Sequence, residues 1–273
     1  MPALNLDEFY SGLDRIFASY DTKAVQDYLE KNLRKAEQAK DIKGAVAVLN
    51  ELSGLYRVQG RFNDAIDASN TALYYLREMG QEKTENYATA LINLADIYVA
   101  AKRYKEALEI FKSSENLLVS LGFEEDYRMA ALYNNISSVY RALGDKYMAL
   151  ETAMKSMKLI EGRDYGADVE LDIATTCINL GEAQISCGLY DEAEKNLNRA
   201  CEIYARRTGN RDGHYPAALY ALARLAAKRG DYDQAEEKIQ KAMRLVENVS
   251  GRGTYYQTLA RSLETVREWR NQR

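Results

Sequence analysis

The side chains best suited to covalent or proton-transfer chemistry are few in this sequence and stand apart. One histidine occurs, His214, in the segment TGNRDGHYP. A lone imidazole excludes histidine dyads and multi-histidine metal sites, and its place before a helix predicts a loop residue that caps or contacts that helix. The three cysteines, Cys177, Cys187 and Cys201, are an odd set without metal-ligand spacing. They fit a reducing compartment and small apolar side chains packed between helices. Acidic pairs such as Glu124-Glu125 and Glu236-Glu237 are adjacent in the chain, which splays their carboxylates and predicts a solvated surface. No glycine-rich phosphate loop, nucleophile elbow or HExxH motif occurs. Catalysis needs converging titratable groups, so the expectation is no enzyme, no catalytic residue, no metal and no cofactor.

Composition bounds the elements that carry these residues. Of 273 residues 29% are charged and 47% apolar, and the two prolines, Pro2 and Pro216, leave room for long helices. A formal net charge of −4 and a pI near 5.4 argue against nucleic acid and against anionic membrane surfaces as partners. No run approaches the roughly 18 to 20 apolar residues that span a bilayer, and MPALNLDEFYSGLDRIF lacks the features of a secretory leader. A soluble, cytoplasmic chain is expected.

The chain repeats itself. LSGLYRVQGRFNDAI, LADIYVAAKRYKEAL, ISSVYRALGDKYMAL, LGEAQISCGLYDEAE and LARLAAKRGDYDQAE begin at Leu52, Leu94, Ile136, Leu180 and Leu222, with separations of 42, 42, 44 and 42 residues. In each a large aliphatic precedes a small residue (Ser53, Ala95, Ser137, Gly181, Ala223), and an alanine follows that residue by twelve places (Ala65, Ala107, Ala149, Ala193, Ala235). Small residues on both partners let two helix axes approach to the short end of the usual 8–10 Å. Gly60, Gly144, Gly188 and Gly230 mark the turn, where a left-handed residue ends the first helix, and Lys102 must take that conformation in repeat two. Phe62, Tyr104, Tyr190 and Tyr232 open the second helix and are expected to plug the gap between pairs; repeat three has Lys146 there and Tyr147 one place later. Ala72, Ser114, Ser156, Ala200 and Ala242 close it.

Small residue, turn glycine, aromatic, alanine and small residue at these offsets resemble the tetratricopeptide repeat family. The long period resembles kinesin light chain repeats in particular, as does GNRDGHYPAALYALARLAAKRGDYDQAEE. The resemblance covers roughly residues 42 to 250 and implies an all-α, right-handed superhelical solenoid of antiparallel helix pairs, about 13 helices in one continuous domain. Five repeats are placed at about 42–82, 83–123, 124–164, 165–210 and 211–250. Residues 1–41, where Gly12 and Ala24 reproduce the twelve-residue offset, read as a degenerate first pair. Residues 251–273 read as a capping helix with Leu259, Leu263 and Val266 towards the stack and Trp269 near its end.

Carried over position by position, the family's ligand-contacting places on the first helices hold Asn93, Asn135 and Asn179, with Asn134 beside the second and Asn50 one place early in repeat one. Asparagine is a poor helix-interior residue, and its amide brackets peptide groups of an extended chain, so the row predicts ligand contact; the competing reading is that the amides bond between adjacent helices. Further groove places hold Arg57, Asp96, Ser138, Arg141, Glu182, Tyr220, Arg224 and Lys228. Their basic members fall in repeats one, three and five, which suits a peptide with separated acidic groups. The clamp by which relatives hold chaperone tails is not reproduced, and no heptad coiled coil accompanies the repeats.

The resemblance implies a non-catalytic scaffold that binds a peptide or a helix of a partner protein in the concave groove. The alternative is a peptide- or ligand-gated regulator whose superhelix changes pitch to control an effector. A homodimer fits either. The C-terminal segment from Arg252, with five arginines against two glutamates, is a second candidate for an acidic partner surface.

Overall fold

The computed structural model describes residues 3–18, 21–161, 169–208 and 213–272. Among these the protein consists of thirteen α-helices and no strand, in two compact units, 1–124 and 125–273. The first unit holds α1 (Leu6–Phe17), α2 (Thr22–Gln38), α3 (Ile42–Val58), α4 (Phe62–Glu78), α5 (Glu85–Ala100) and α6 (Tyr104–Ser120). The second holds α7 (Arg128–Ala142), α8 (Lys146–Ile160), α9 (Glu170–Cys187), α10 (Tyr190–Thr208), α11 (Tyr215–Arg229), α12 (Tyr232–Ser250) and α13 (Thr254–Asn271). Within each unit successive helices pack on one another, and first helices of neighbouring repeats also meet: α3 with α5, and α9 with both α7 and α11. The expected repeat boundaries near 164 and 210 lie outside the described residues.

The spacing of small residues governs how closely each pair packs. Ala65, Ala107, Ala149, Ala193 and Ala235 are all fully buried, and their partners Ser53, Ala95, Ser137 and Ala223 are at most 4% exposed. The Ser137 hydroxyl donates to the Ala149 carbonyl at 2.7 Å, so a polar small residue is satisfied inside the contact. The closing positions work the same way: Ser114 Oγ donates to the Ala88 carbonyl at 3.0 Å and Ser156 Oγ to the Ala130 carbonyl at 2.8 Å, each joining a second helix to its own first helix. In the first unit Leu73, Leu76, Leu94 and Ile97 fill the space between pairs, and in the second Ile185, Leu197, Leu222 and Leu225 do so. Each such side chain contributes about 1.5–3 kcal/mol by leaving water.

Helix ends follow local chemistry. Asn5, Asp21, Asp41, Thr84, Asp145 and Asp231 accept backbone N–H groups at their helix N-termini. Arg61 and Arg103 occupy the N-cap positions of α4 and α6 without a side-chain bond to the backbone there. Each bonds an acid three places on, Asp64 at 2.7 Å and Glu106 at 2.9 Å, and lies over a tyrosine of the preceding first helix, Tyr56 or Tyr98. At the turn, Lys102 adopts φ +60° and closes the same pair of backbone bonds that surround Gly60, at a cost of about 1–2 kcal/mol relative to glycine.

Repeat three departs from its neighbours as its sequence does, and two expectations change on contact with the structure. The aromatic of repeat three does not plug a gap: Tyr147 is 71% exposed, because its shift by one place turns it away from the core, and the Lys146 ammonium lies over its ring. Glu236 is not simply solvated. Two arginines of α13 hold it, Arg267 through Nε and Nη2 and Arg270 through Nη1, and the Arg267 hydrogen bond draws its carboxyl below the usual range. Those arginines, and Arg252 bonded to Glu247 at 2.7 Å, are therefore engaged within the chain, which weakens the C-terminal segment as a surface for an acidic partner; Arg273 lies outside the described residues. Leu259, Leu263 and Val266 are buried, and Trp269 lies beside Tyr232 with ring centres 6.2 Å apart.

Candidate functional site

The groove-forming face of the second unit is built on α7, α9, α11 and α13. Three clefts follow one another across it. One of about 230 Å³ lies between α7 and α9, and the next, of about 300 Å³, between α9 and α11, with Thr175 and Asn179 shared between them. The third, about 470 Å³, lies between α11 and α13 and shares Tyr220 with the second.

The middle cleft contains the strongest electrostatic feature. Glu182, 9% exposed, projects from α9 and its two carboxylate oxygens take one guanidinium each: Oε2 meets Arg141 Nη1 of α7, and Oε1 accepts from Arg224 Nη1 of α11 at 3.0 Å. The basic residues of repeats three and five are thus joined through the acid of repeat four rather than held apart. Burial, with the Arg224 charge beside it, pushes Arg141 down to about 10, which leaves it cationic at neutral pH. The cluster carries one net positive charge, and each guanidinium has N–H donors beyond those that Glu182 takes.

The asparagine row divides. Asn134 is 6% exposed and its Nδ2 donates to Thr176 Oγ1 of α9 at 2.8 Å, so at this position the amide joins neighbouring helices. Asn135 and Asn179 are half-buried and line the α7–α9 cleft, and Asn179 Oδ1 accepts from Ser138 Oγ at 3.3 Å. Tyr220 shares a hydrogen bond with Ser262 of α13 at 2.7 Å, and Lys228 is exposed on the wall of the α11–α13 cleft. In the first unit Asn50 and Asn93 are exposed on α3 and α5.

There too a cation and an acid face one another, Arg57 of α3 and Asp96 of α5. Burial raises the Asp96 carboxyl to about 6 against the pull of Arg57. Because the folded carboxyl takes its proton more readily than an ordinary aspartate at 3.8, it adds stability in acid, and this is lost as the pH rises through about 6. From about pH 4 to pH 7 the first unit is therefore expected to lose on the order of 1–2 kcal/mol from this group, after discounting for the solvent that reaches it. Asp96→Asn is expected to flatten that slope in urea titrations followed by circular dichroism.

Several groove residues escape a position-by-position reading. His214 stands at the N-terminus of α11, stacks on Tyr204 with ring centres 6.3 Å apart, and lines the middle cleft with Tyr255. Tyr255 is pushed up to about 12 by burial and by Tyr220. Ser262 and Trp269 line the third cleft and follow Tyr220 and Ala227 by 42 residues, so the period carried one step into α13 points to them. Cys177 and Cys201 are raised to about 11 by burial, which keeps both thiols protonated.

Stacked antiparallel pairs, small-residue contacts within each pair and a polar face lining successive clefts define a helical-repeat protein of the interaction-scaffold class. Tetratricopeptide repeat models match residues 44–118, 172–248 and 130–162. The chain belongs to the tetratricopeptide repeat family. No curated protein matches it. Among solved structures it is similar to BtubC (BKLC) from P. vanneervenii, with 23% identity, 75% of this chain and 81% of that chain covered, and a TM-score of 0.66. The apo form of RapI shares 13% identity over 99% of this chain and all of its own, again with a TM-score of 0.66. NprR, a quorum sensor from B. thuringiensis, was solved with its cognate peptide NprX; it shares 17% identity over 95% of this chain and 73% of its own, with a TM-score of 0.66. At these identities the likeness is one of fold. No helix among the described residues is long and apolar enough to cross a membrane.

Proposed function

We propose that the protein is a non-catalytic interaction scaffold whose second unit takes an extended peptide segment of a partner protein along α7, α9, α11 and α13, with an acidic group of that peptide at Arg141 and Arg224. The observation that carries this reading is the Arg141–Glu182–Arg224 bridge. It fixes two guanidiniums on the walls of consecutive clefts and keeps a net positive charge in a chain that is acidic as a whole. Neighbouring helix axes 8–10 Å apart match about three residues of extended chain at roughly 3.3 Å each, so one peptide reaches successive clefts at regular intervals. A peptide bound to NprR, a protein of the same fold, is in keeping with that ligand class.

Affinity selection of a random synthetic octapeptide library on the intact protein is expected to enrich aspartate and glutamate. Arg224→Ala is expected to weaken the recovered peptides about tenfold by calorimetry, as loss of one charge-assisted hydrogen bond requires, while helicity is retained. Recovered peptides without acidic preference, or equal binding to the variant, would sink the reading.

A further inference from the structure

Asn134 sits on the floor of the α7–α9 cleft with only half of its amide satisfied. Its Nδ2 donates to Thr176 Oγ1, which lies 3.4 Å from Ser156 Oγ, and Ser156 in turn donates to the Ala130 carbonyl. This buried chain orients the amide, and Asn134 Oδ1 is left as a buried acceptor without a donor among the described residues. Other polar side chains line the cleft, Tyr127 and Asn135 among them. Asp172 contributes a carboxylate, Thr175 a hydroxyl that already donates to the Leu171 carbonyl, and Asn179 a carbonyl oxygen with capacity beyond its bond from Ser138. No lysine, arginine or histidine lines this cleft among the described residues, whereas Arg141 lines the adjoining α9–α11 cleft and Arg224 the α11–α13 cleft beyond it.

We infer that the α7–α9 cleft is a subsite for a primary ammonium group, so that the groove takes its peptide in one direction, amine at α7–α9 and acidic group at α9–α11. This rests on the peptide-binding reading above and assigns the polarity of the ligand. A primary ammonium offers three donors in a tetrahedral arrangement, more than enough for Asn134 Oδ1 and the Asp172 carboxylate, which stands one turn before Thr176 on α9, and a cleft of about 230 Å³ admits a group of that size. Partial shielding from water at the cleft rim raises the Asp172 carboxyl from its ordinary range, and a cation beside it reverses that shift. The amine comes either from a free peptide N-terminus or from a lysine side chain. Three residues of extended chain separate it from the guanidiniums, which places the acidic residue about four positions on.

The test uses four synthetic octapeptide pools, random except for glutamate at the fourth position and lacking lysine elsewhere: free amino terminus, acetylated terminus, acetylated with lysine first, and acetylated with norleucine first. Retention on the intact protein is read by affinity-selection mass spectrometry. The free-terminus pool is expected to exceed its acetylated counterpart at least tenfold, or the lysine pool the norleucine pool, and the comparison names the source of the amine. Asp172→Asn, an isosteric change at an exposed residue, is expected to abolish that ratio while preference for glutamate over glutamine at the fourth position persists. Equal retention of charged and neutral pools with that preference intact overturns the ammonium subsite and leaves the peptide-binding reading standing. Retention of no pool overturns both.

Discussion

Glu182→Ala is expected to destabilise the second unit by about 2–3 kcal/mol, because its side chain is 12% exposed and removing it leaves two half-buried guanidiniums, 31% and 38% exposed, uncompensated. Here the loss is doubled in kind. Arg141, which burial already disfavours as a cation, and Arg224, which adds repulsion, would face each other without the carboxylate between them. The chain's one tryptophan, Trp269, lies in the second unit, so its fluorescence during urea denaturation reports this unit directly. Glu161→Ala is the matched control. That carboxylate also pairs with an arginine, Arg199 at 2.8 Å, but both side chains are exposed, and a change within about 1 kcal/mol is expected. Replacing Arg141, Glu182 and Arg224 together by methionine or leucine is expected to leave the unit about as stable as it is now. That pair of outcomes would show that the triad holds charge in the groove for a purpose other than folding. If Glu182→Ala and Glu161→Ala shift the midpoint equally, the bridge does not tie α7, α9 and α11 as described.

The second large effect is steric. Gly181→Val is expected to cost about 3 kcal/mol or more, through overpacking where α9 meets α10. A Cβ at Gly181 would lie 2.7 Å from Leu197 Cγ, 2.8 Å from Leu197 Cδ2 and 3.4 Å from the Ala193 carbonyl oxygen. Repeat four is the one in which the small residue is glycine, and Leu197, fully buried, occupies the space so created. Leu197→Ala alone empties that space at a cost of about 2–5 kcal/mol. The two changes share one volume, so in the double variant their costs should fall well short of additive. Additive losses in urea titrations would mean that Leu197 does not define the room at Gly181.

Much of this packing was legible from residue order because a repeat protein solves one local problem several times. The twelve-residue offset between small residue and alanine spans two helices and one turn, and every one of those alanines is buried. Lys102, out of place among turn glycines, is in the left-handed conformation that the pattern demands there. The candidate site was less legible. Aligned positions pair Arg141 with Ile185, since the third and fourth repeats are offset by 44 residues, yet Arg141 reaches Glu182, one helical turn earlier. The neighbouring asparagines 134 and 135 are alike in sequence, but adjacent side chains on a helix point about 100° apart. Rotation of α7 decides that Asn134 turns inward to Thr176 while Asn135 remains half-buried in the cleft.

Residue order by itself determined the helical-repeat family, the helix pairs, their turns and the buried small residues, because those depend on contacts within a single repeat of the chain and recur with it. Only the tertiary structure decided which groove residues neutralise one another, which amide is left with an unmatched acceptor and how the clefts succeed each other. Those features arise between repeats, where the axial offset and rotation of whole helices place side chains some forty residues apart within hydrogen-bond reach, and no local spacing encodes that offset.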